Sequence, residues 1–146
     1  MELPLQLHLI RHKGQIVLNV EFEAQGIRDW CLGLCLLKEC LVQTLIIKES
    51  GTKGKLEIER TDRKGDADRT QANFESEGTR LKITENDLDY LLHFFLKYYR
   101  DGWAEVDHID LEALCTAECQ DSSNTFKVPE SAAPLSVEAA RKRLGL

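Results

Sequence analysis

Hydrophobic and polar residues alternate at the start of the chain. Between residues 3 and 9 every second position is a leucine, and the alternation resumes over residues 16–24, after a Lys13-Gly14 pair. A period of two places the apolar side chains on one face of a strand. A short connection that contains glycine suits a tight turn. The two segments are therefore predicted to form an N-terminal antiparallel hairpin.

A second pair of strands is predicted between residues 42 and 61. The segment 42–48 is rich in apolar and β-branched residues, and the segment 55–61 carries Leu56 and Ile58 on one face. The residues between the two segments are serine, glycine, threonine and lysine, a composition typical of a turn. We expect a second antiparallel hairpin here.

The strongest helical pattern runs from Glu85 to Asp101. Apolar residues recur in it with the 3.6-residue period of a helix, at Leu88, Leu91, Leu92, Phe95, Leu96 and Tyr99. Thr84 can cap the first turn at Asp87, and Gly102 suits the left-handed position that ends a helix. Because so little of the segment is polar, we expect most of its sides to be covered. It is predicted to be the core helix.

The segment 27–41 fits two structures. Its apolar residues share a helical face at Ile27, Trp30, Cys31, Leu34, Cys35, Leu37 and Leu41. Gly33 weakens a helix, however, and the apolar run 32–37 equally fits a buried strand. Both interpretations stay open at the level of the sequence.

Three weaker segments complete the pattern. Residues 62–78 carry almost no apolar side chain beyond Phe74, which predicts a polar loop with a short strand at Phe74 as an alternative. Residues 103–111 predict a strand, whose carboxylates favour an edge or an end of the sheet. Residues 117–135 are polar and contain serine and proline, and they predict a linker.

Together these elements predict a single α+β domain. We expect one mainly antiparallel sheet of hairpins, packed on the core helix at residues 85–101 and, if the helical interpretation holds, on a second helix at residues 27–41. The core is predicted to span residues 1–116, followed by the linker and a short C-terminal helix within 136–146. No repeated sequence motif is apparent.

Composition narrows the classes of function. The chain has 146 residues, 30% of them charged, and a net charge of −6, which argues against nonspecific binding to nucleic acid or to an anionic membrane. The longest apolar run, residues 30–37, is too short to span a bilayer. Five cysteines and an N-terminal segment without the order of a secretory signal predict free thiols and a cytoplasmic location.

Negative charge concentrates in one window, Asp101 to Asp121. The window holds seven acidic residues and no lysine or arginine, so it carries more charge than the net −6 of the whole chain. One interpretation is a solvated strand that charge protects from edge pairing. The other is a surface that binds a basic protein, and its candidate residues are Glu105, Asp107, His108, Asp110 and Glu112.

Two histidines are the candidates for catalysis. His108 shares a strand face with Asp110, which suggests a metal-assisted hydrolase, but strand spacing supplies only one or two ligands of a hard cation. His93 follows Asp89 by one helical turn, where the carboxylate could orient the imidazole as in a general base. A structural role is the simpler interpretation of both, and no cofactor or metal is predicted.

The cysteines allow a zinc site only in principle. Two C-x₃-C pairs, Cys31/Cys35 and Cys115/Cys119, place sulfurs on one helical face if their segments are helical. The first pair lies in a strongly apolar run, where cysteine usually acts as a small hydrophobic residue. Buried, inert thiols are therefore the expectation.

The sequence favours a binding protein over an enzyme. The leading hypothesis is a small acidic module that presents the 105–112 strand to a basic partner, with an immunity-type inhibitor as one form. The alternatives are the hydrolase centred on His108 and a structural subunit of a homo-oligomer. The C-terminal helix carries Arg141, Lys142 and Arg143, so it is also a candidate to dock on the acidic strand of its own molecule or of a neighbour.

Overall fold

The computed structural model describes residues 1–11, 17–22, 26–49, 54–61, 69–75, 78–115, 120–129 and 137–146. Within them lie eight strands and three helices. The strands are β1 (Glu2–Arg11), β2 (Val17–Phe22), β3 (Thr44–Glu49), β4 (Lys55–Arg60), β5 (Gln71–Glu75), β6 (Gly78–Ile83), β7 (His108–Cys115) and β8 (Gln120–Lys127). The helices are α1 (Ile27–Lys38), α2 (Glu85–Asp101) and α3 (Val137–Leu144).

All eight strands join in one closed sheet, in the order β1-β2-β8-β7-β5-β6-β4-β3. Four antiparallel hairpins form between strands consecutive in the chain, namely β1–β2, β3–β4, β5–β6 and β7–β8. Parallel pairings of β1 with β3, β2 with β8, β4 with β6 and β5 with β7 link the hairpins. The predicted α+β class, its two hairpins and the packing of helices on the sheet are confirmed.

The topology repeats although the sequence shows no repeated motif. Strands β1 to β4 with α1 form a ββαββ unit, and strands β5 to β8 with α2 form a second unit in the same order. Shifting every strand number by four reproduces the same cyclic order of the barrel. The two units are therefore related by a topological two-fold, and the outer face of β3, β4 and β6 corresponds to that of β7, β8 and β2.

The inner faces of the strands and one face of each of α1 and α2 make a single hydrophobic core. At its centre the Trp30 ring lies 4.7 Å from Phe22, 5.8 Å from Phe95 and 6.1 Å from Phe126, measured between ring centroids. These rings come from β2, α2, β8 and α1. Aromatic pairs at such distances stabilise beyond the burial of their area, so this cluster ties the two units together.

Residues 27–38 form a helix, so the strand interpretation of this segment is wrong. The reason lies in tertiary packing at Gly33, where the helix approaches the sheet closely. A Cβ atom built at Gly33 would lie 3.0 Å from the Cδ atoms of Leu3 and 3.3 Å from a Cδ atom of Leu45. The glycine that weakens the helix locally therefore allows it to pack on β1 and β3. The helix ends at Lys38, and Leu41 is exposed.

Helix α2 begins and ends as its sequence predicts. The Thr84 hydroxyl accepts the backbone N–H of Asp87 at 3.2 Å, and Gly102 takes the left-handed conformation with φ of 74°. A second threonine, the buried Thr70 that precedes β5, donates to the Asp87 carboxylate and accepts from the Thr84 N–H. The cap therefore anchors the helix to the second unit of the barrel.

One expectation for α2 is wrong, since the helix is not covered on most sides. Its buried residues are Leu88, Leu91, Leu92, Phe95 and Tyr98. Tyr90, Leu96 and Tyr99 are exposed. Tyrosine tolerates such a position because its hydroxyl can remain in water.

Ion pairs join the two helices where α1 ends and α2 begins. The Lys38 ammonium lies 2.7 Å from the Asp89 carboxylate. The Arg60 guanidinium of β4 donates to the carbonyl of Lys38 at 2.6 Å and lies 3.1 Å from the Glu85 carboxylate. A cation at the C-terminal end of α1 and a carboxylate at the N-terminal end of α2 both suit the helix dipoles.

Several predicted boundaries are wrong. Residues 120–127 were expected in a linker and instead form β8. The strand expected at 103–111 begins only at His108, and it is not an edge strand, because β7 lies between β8 and β5. The alternative of a short strand at Phe74 is confirmed, because β5 occupies part of the expected polar loop at 62–78. Residues 62–68, like the Lys13-Gly14 turn, lie outside the described residues.

No helix in the described part of the chain is long and apolar enough to cross a membrane.

Strands β4 and β6 approach each other closely at Gly78, and this contact provides a test of the closed barrel. A Cβ atom at Gly78 would lie 2.1 Å from the backbone oxygen of Lys55, its register partner. We expect Gly78→Ala to lower the free energy of unfolding by about 3 kcal/mol, because neither strand can move without losing its ladder. Chemical denaturation measures this.

Gly145→Ala is the control, since it also places alanine at a positive φ, 71°, while nothing lies within 4 Å of a Cβ atom there. A Gly78→Ala protein as stable as the control would contradict the parallel β4–β6 pairing.

Candidate binding surface on strands β7 and β8

The structure brings the predicted partner-binding residues to one exposed region. Glu105 and Asp107 lie in the connection between α2 and β7, while His108, Asp110 and Glu112 point outward along β7. Ile109, Leu111, Ala113 and Cys115 alternate with them and are buried. We call Glu105, Asp107, Asp110 and Glu112 the acidic surface. The predicted faces of this strand are thus confirmed from His108 onward.

His108 lies between two carboxylates of the acidic surface. Its Nδ1 atom is 2.6 Å from Oδ1 of Asp107, and its Nε2 atom is 3.8 Å from Oδ2 of Asp110. A carboxylate only accepts, so Nδ1 carries the proton of the short contact. This hydrogen bond holds the pKa of Asp107 below its usual value, helped by the charge of Lys127 and opposed by desolvation. Asp107 therefore keeps its negative charge in mildly acidic solution.

Strand β8 fixes the backbone and one carboxylate of the acidic surface. The register places His108 opposite Lys127, Asp110 opposite Thr125 and Glu112 opposite Ser123. The Thr125 hydroxyl donates to Oδ1 of Asp110 at 2.5 Å. The backbone N–H of Val128 donates to the carbonyl of Asp107 at 2.8 Å. These bonds hold the region in place before any partner binds.

The topologically equivalent face, formed by β3, β4 and β6, is neutralised by ion pairs. On β4, the Glu57 carboxylate lies 3.2 Å from the Lys55 ammonium and 2.9 Å from Nε of Arg80 on β6. The hydrogen bond from Lys55, followed by that from Arg80, lowers the pKa of Glu57 against the effect of desolvation. Glu59 is similarly placed 3.6 Å from Lys82. Carboxylates on this face alternate with cations across the strands.

Only part of the acidic window is unneutralised. Asp101 pairs with Arg100 and Asp121 with Arg69, each at 2.7 Å, and Glu118 lies outside the described residues. Among the described residues, no hydrogen bond or ion pair of the side chain is found for Glu105 or Glu112. The excess charge therefore concentrates on the acidic surface rather than on the whole window.

The hydrolase hypothesis gains little from this geometry. Among the described residues there is no group of three or more histidine, cysteine, aspartate or glutamate side chains that could hold a metal ion. His93 is exposed, and its Nδ1–H donates to the backbone carbonyl of Asp89 at 2.7 Å, while the Asp89 carboxylate pairs with Lys38. The His93 ring therefore contacts the backbone carbonyl of Asp89 and not its carboxylate.

The described cysteines are separate free thiols. Cys31 and Cys115 are buried, in α1 and β7, and Cys35 is half-buried. Burial, and then the neighbouring Cys35, raise the pKa of the Cys31 thiol to about 12. Cys119 lies outside the described residues, and no cysteine of the described chain belongs to a candidate metal site. Inert packing accounts for Cys31.

Sequence reasoning missed residues that belong to this region. Thr125 and Lys127 were assigned to a linker because polar residues also occupy the inner face of β8. Ser122 and Asn124 are buried there and donate to the carbonyls of Ala113 and Leu111. Two exposed apolar side chains were missed as well, namely Val106, which is 56% exposed, and Tyr99, which is 55% exposed.

No family model, no curated protein and no solved structure matches this chain.

The pKa of Cys31 predicts a reactivity order and a pH dependence. We expect a thiol-alkylating reagent to label the exposed Cys40 in the native protein and to spare Cys31 until the protein unfolds. The Cys31 pKa is raised on folding, so the unfolded thiol ionises first, and stability should fall as pH rises from about 9 towards 12. Mass spectrometry of labelled protein and denaturation at several pH values measure these effects.

Cys40→Ser should remove the fast labelling and leave the pH dependence unchanged. Rapid native labelling of Cys31 would contradict its burial.

The short contact between His108 and Asp107 gives a second prediction. Replacing His108 with alanine should raise the pKa of Asp107 towards its usual value, because the main interaction that lowers it is lost. Titration followed by NMR of the aspartate carboxyl carbons measures the change.

His93→Ala is the matched control, since its ring contacts a backbone carbonyl and not Asp107. An unchanged Asp107 titration in the His108→Ala protein would show that the contact does not form in solution.

Proposed function

We propose that this protein is a binding module whose acidic surface binds a basic protein. One observation carries the proposal, which is the contrast between two topologically equivalent faces of the barrel. On the face of β3, β4 and β6, cations pair with Glu57 and Glu59. On the face of β7, β8 and β2, Glu112 has no such partner among the described residues. A partner that supplies cations would neutralise the carboxylates of the second face, as cations of the barrel neutralise those of the first.

The negative charge of the acidic surface favours its association with a basic partner. Four carboxylates within eight consecutive residues create a negative potential that attracts a positively charged segment of a partner and repels an acidic one. Binding should therefore be salt-sensitive and faster at low ionic strength.

Apolar contact area lies beside the charges. Val106 stands between Glu105 and Asp107 in the chain and is 56% exposed, and Tyr99 is exposed at the end of α2. Protein interfaces commonly combine an aromatic or aliphatic centre with a polar rim. The region thus offers both parts of an ordinary interface, and its backbone is held by the Val128–Asp107 hydrogen bond.

The test neutralises the acidic surface without changing its shape. We expect the triple variant Glu105→Gln, Asp110→Asn, Glu112→Gln to weaken binding of the partner by tenfold or more, since several charges act together. Affinity capture from the source cell with wild-type protein as bait identifies the partner. Calorimetry with the purified partner then gives the stoichiometry and the dissociation constant at low and high salt.

The matched control replaces three other exposed acids, Glu2, Glu39 and Glu75, with glutamine, which changes the net charge by the same amount. The proposal requires a one-to-one complex that the control retains and the triple variant loses. A partner bound equally by both variants, or with no dependence on salt, would place the interface elsewhere on the chain.

A further inference from the structure

Helix α3 stands apart from the core of the protein. Its apolar residues Val137 and Leu144 are 78% and 74% exposed, and Leu146 beyond it is 86% exposed. Arg141 and Lys142 are exposed as well. Among the described residues, no hydrogen bond or ion pair joins α3 to a strand or to another helix. An isolated helix of eight residues is marginal in water, so α3 needs a surface to pack on.

The chemistry of α3 is complementary to the acidic surface. The segment 137–146 contains three cations, Arg141, Lys142 and Arg143, and one acid, Glu138. Val137, Arg141 and Leu144 follow one another at intervals of four and three residues, which places two apolar side chains and one cation on one face. The acidic surface offers carboxylates, and exposed Val106 lies between two of them in the chain. Charge and apolar area are thus matched on both sides.

The chain leaves the barrel beside that surface. The last described residues of the β8 segment are Val128, which donates to the Asp107 carbonyl, and the buried Pro129. Eight peptide steps connect Pro129 to Val137, a span of at most about 28 Å. The connection therefore starts beside the acidic surface, so α3 and the acidic surface of one copy can both contribute to one interface with a second copy.

We infer that α3 of one copy docks on the acidic surface of a second copy, and that the exchange is reciprocal. This rests on the proposed function, because it names a partner for the same surface. A single chain leaves both α3 and its acidic surface uncovered. When two copies exchange their α3 helices around a two-fold axis, both helices and both acidic surfaces become covered. Each interface is small, so the dimer forms through two weak contacts that reinforce each other.

The experiment measures the mass of the full chain by sedimentation over a concentration series, at low salt and at about 1 M salt, where the Debye length is about 3 Å. The wild-type protein should be a dimer at low salt and dissociate at high salt. Arg141→Gln/Lys142→Gln should weaken the dimer about tenfold, since exposed ion pairs each contribute modestly. The triple variant of the acidic surface should do the same.

A mixture of the two variants provides the decisive test. Each variant alone lacks one half of every α3–surface contact, whereas a mixture of the two variants contains one intact contact per pair. The mixture should therefore form a heterodimer, weaker than the wild-type dimer and sensitive to salt. Arg28→Gln/Lys97→Gln is the charge-matched control, because both of these exposed cations lie away from α3, and it should dimerise like the wild-type protein.

Three results would overturn the inference. These are a wild-type monomer at every concentration, a dimer that both variants leave unchanged, and a monomer in which Arg141→Gln/Lys142→Gln shifts the NMR signals of His108, which would mean that α3 docks on its own barrel. The proposed function is tested by a different result. If a basic partner of another kind binds the wild-type protein and only the triple variant fails to bind it, the proposed function stands and this inference is wrong.

Discussion

Closure of the sheet is the constraint on which the rest of this structure depends. Four hairpins would leave open edges if they were joined only in chain order. The parallel pairings of β2 with β8 and of β4 with β6 connect the two ββαββ units instead and complete the ring. A closed sheet has no unpaired edge among its strands, so charge is not needed to protect one. The inner faces must then be filled, and α1 and α2 supply the apolar surface that fills them.

Because the sheet is closed, the acidic residues of β7 need a different explanation. An edge strand rich in carboxylates is explained by protection from aggregation, and that explanation fails for β7, which has a neighbour on each side. Charge on the outer face of such a strand is free to vary without affecting the fold. The two topologically equivalent faces differ accordingly. On one face Lys55, Arg80 and Lys82 pair with carboxylates of the chain, and on the other Asp110 and Glu112 are exposed.

The sequence predicted the features that local chemistry determines. Alternation located the first hairpins, and Thr84 and Gly102 located both ends of α2, because capping and left-handed glycine depend on neighbouring residues only. The parallel pairings, and therefore the barrel, depend on contacts between distant segments, and no local pattern reports them. Strand β8 was missed for a different reason. Ser122 and Asn124 lie on its inner face, so buried hydrogen bonds to β7 replaced the apolar alternation that identifies a strand.

The buried residues Ser122 and Asn124 also influence the geometry of the acidic surface, which the sequence located only in part. Residues 105–112 were identified from charge alone, but their arrangement depends on β8, whose register sets Thr125 against Asp110. Ser122 and Asn124 favour this register, since a shift by one residue would turn their polar groups outward and carry Thr125 into the core. Buried hydrogen bonds thus specify where an exposed carboxylate lies. A surface fixed in this way would lose little conformational entropy on binding a partner.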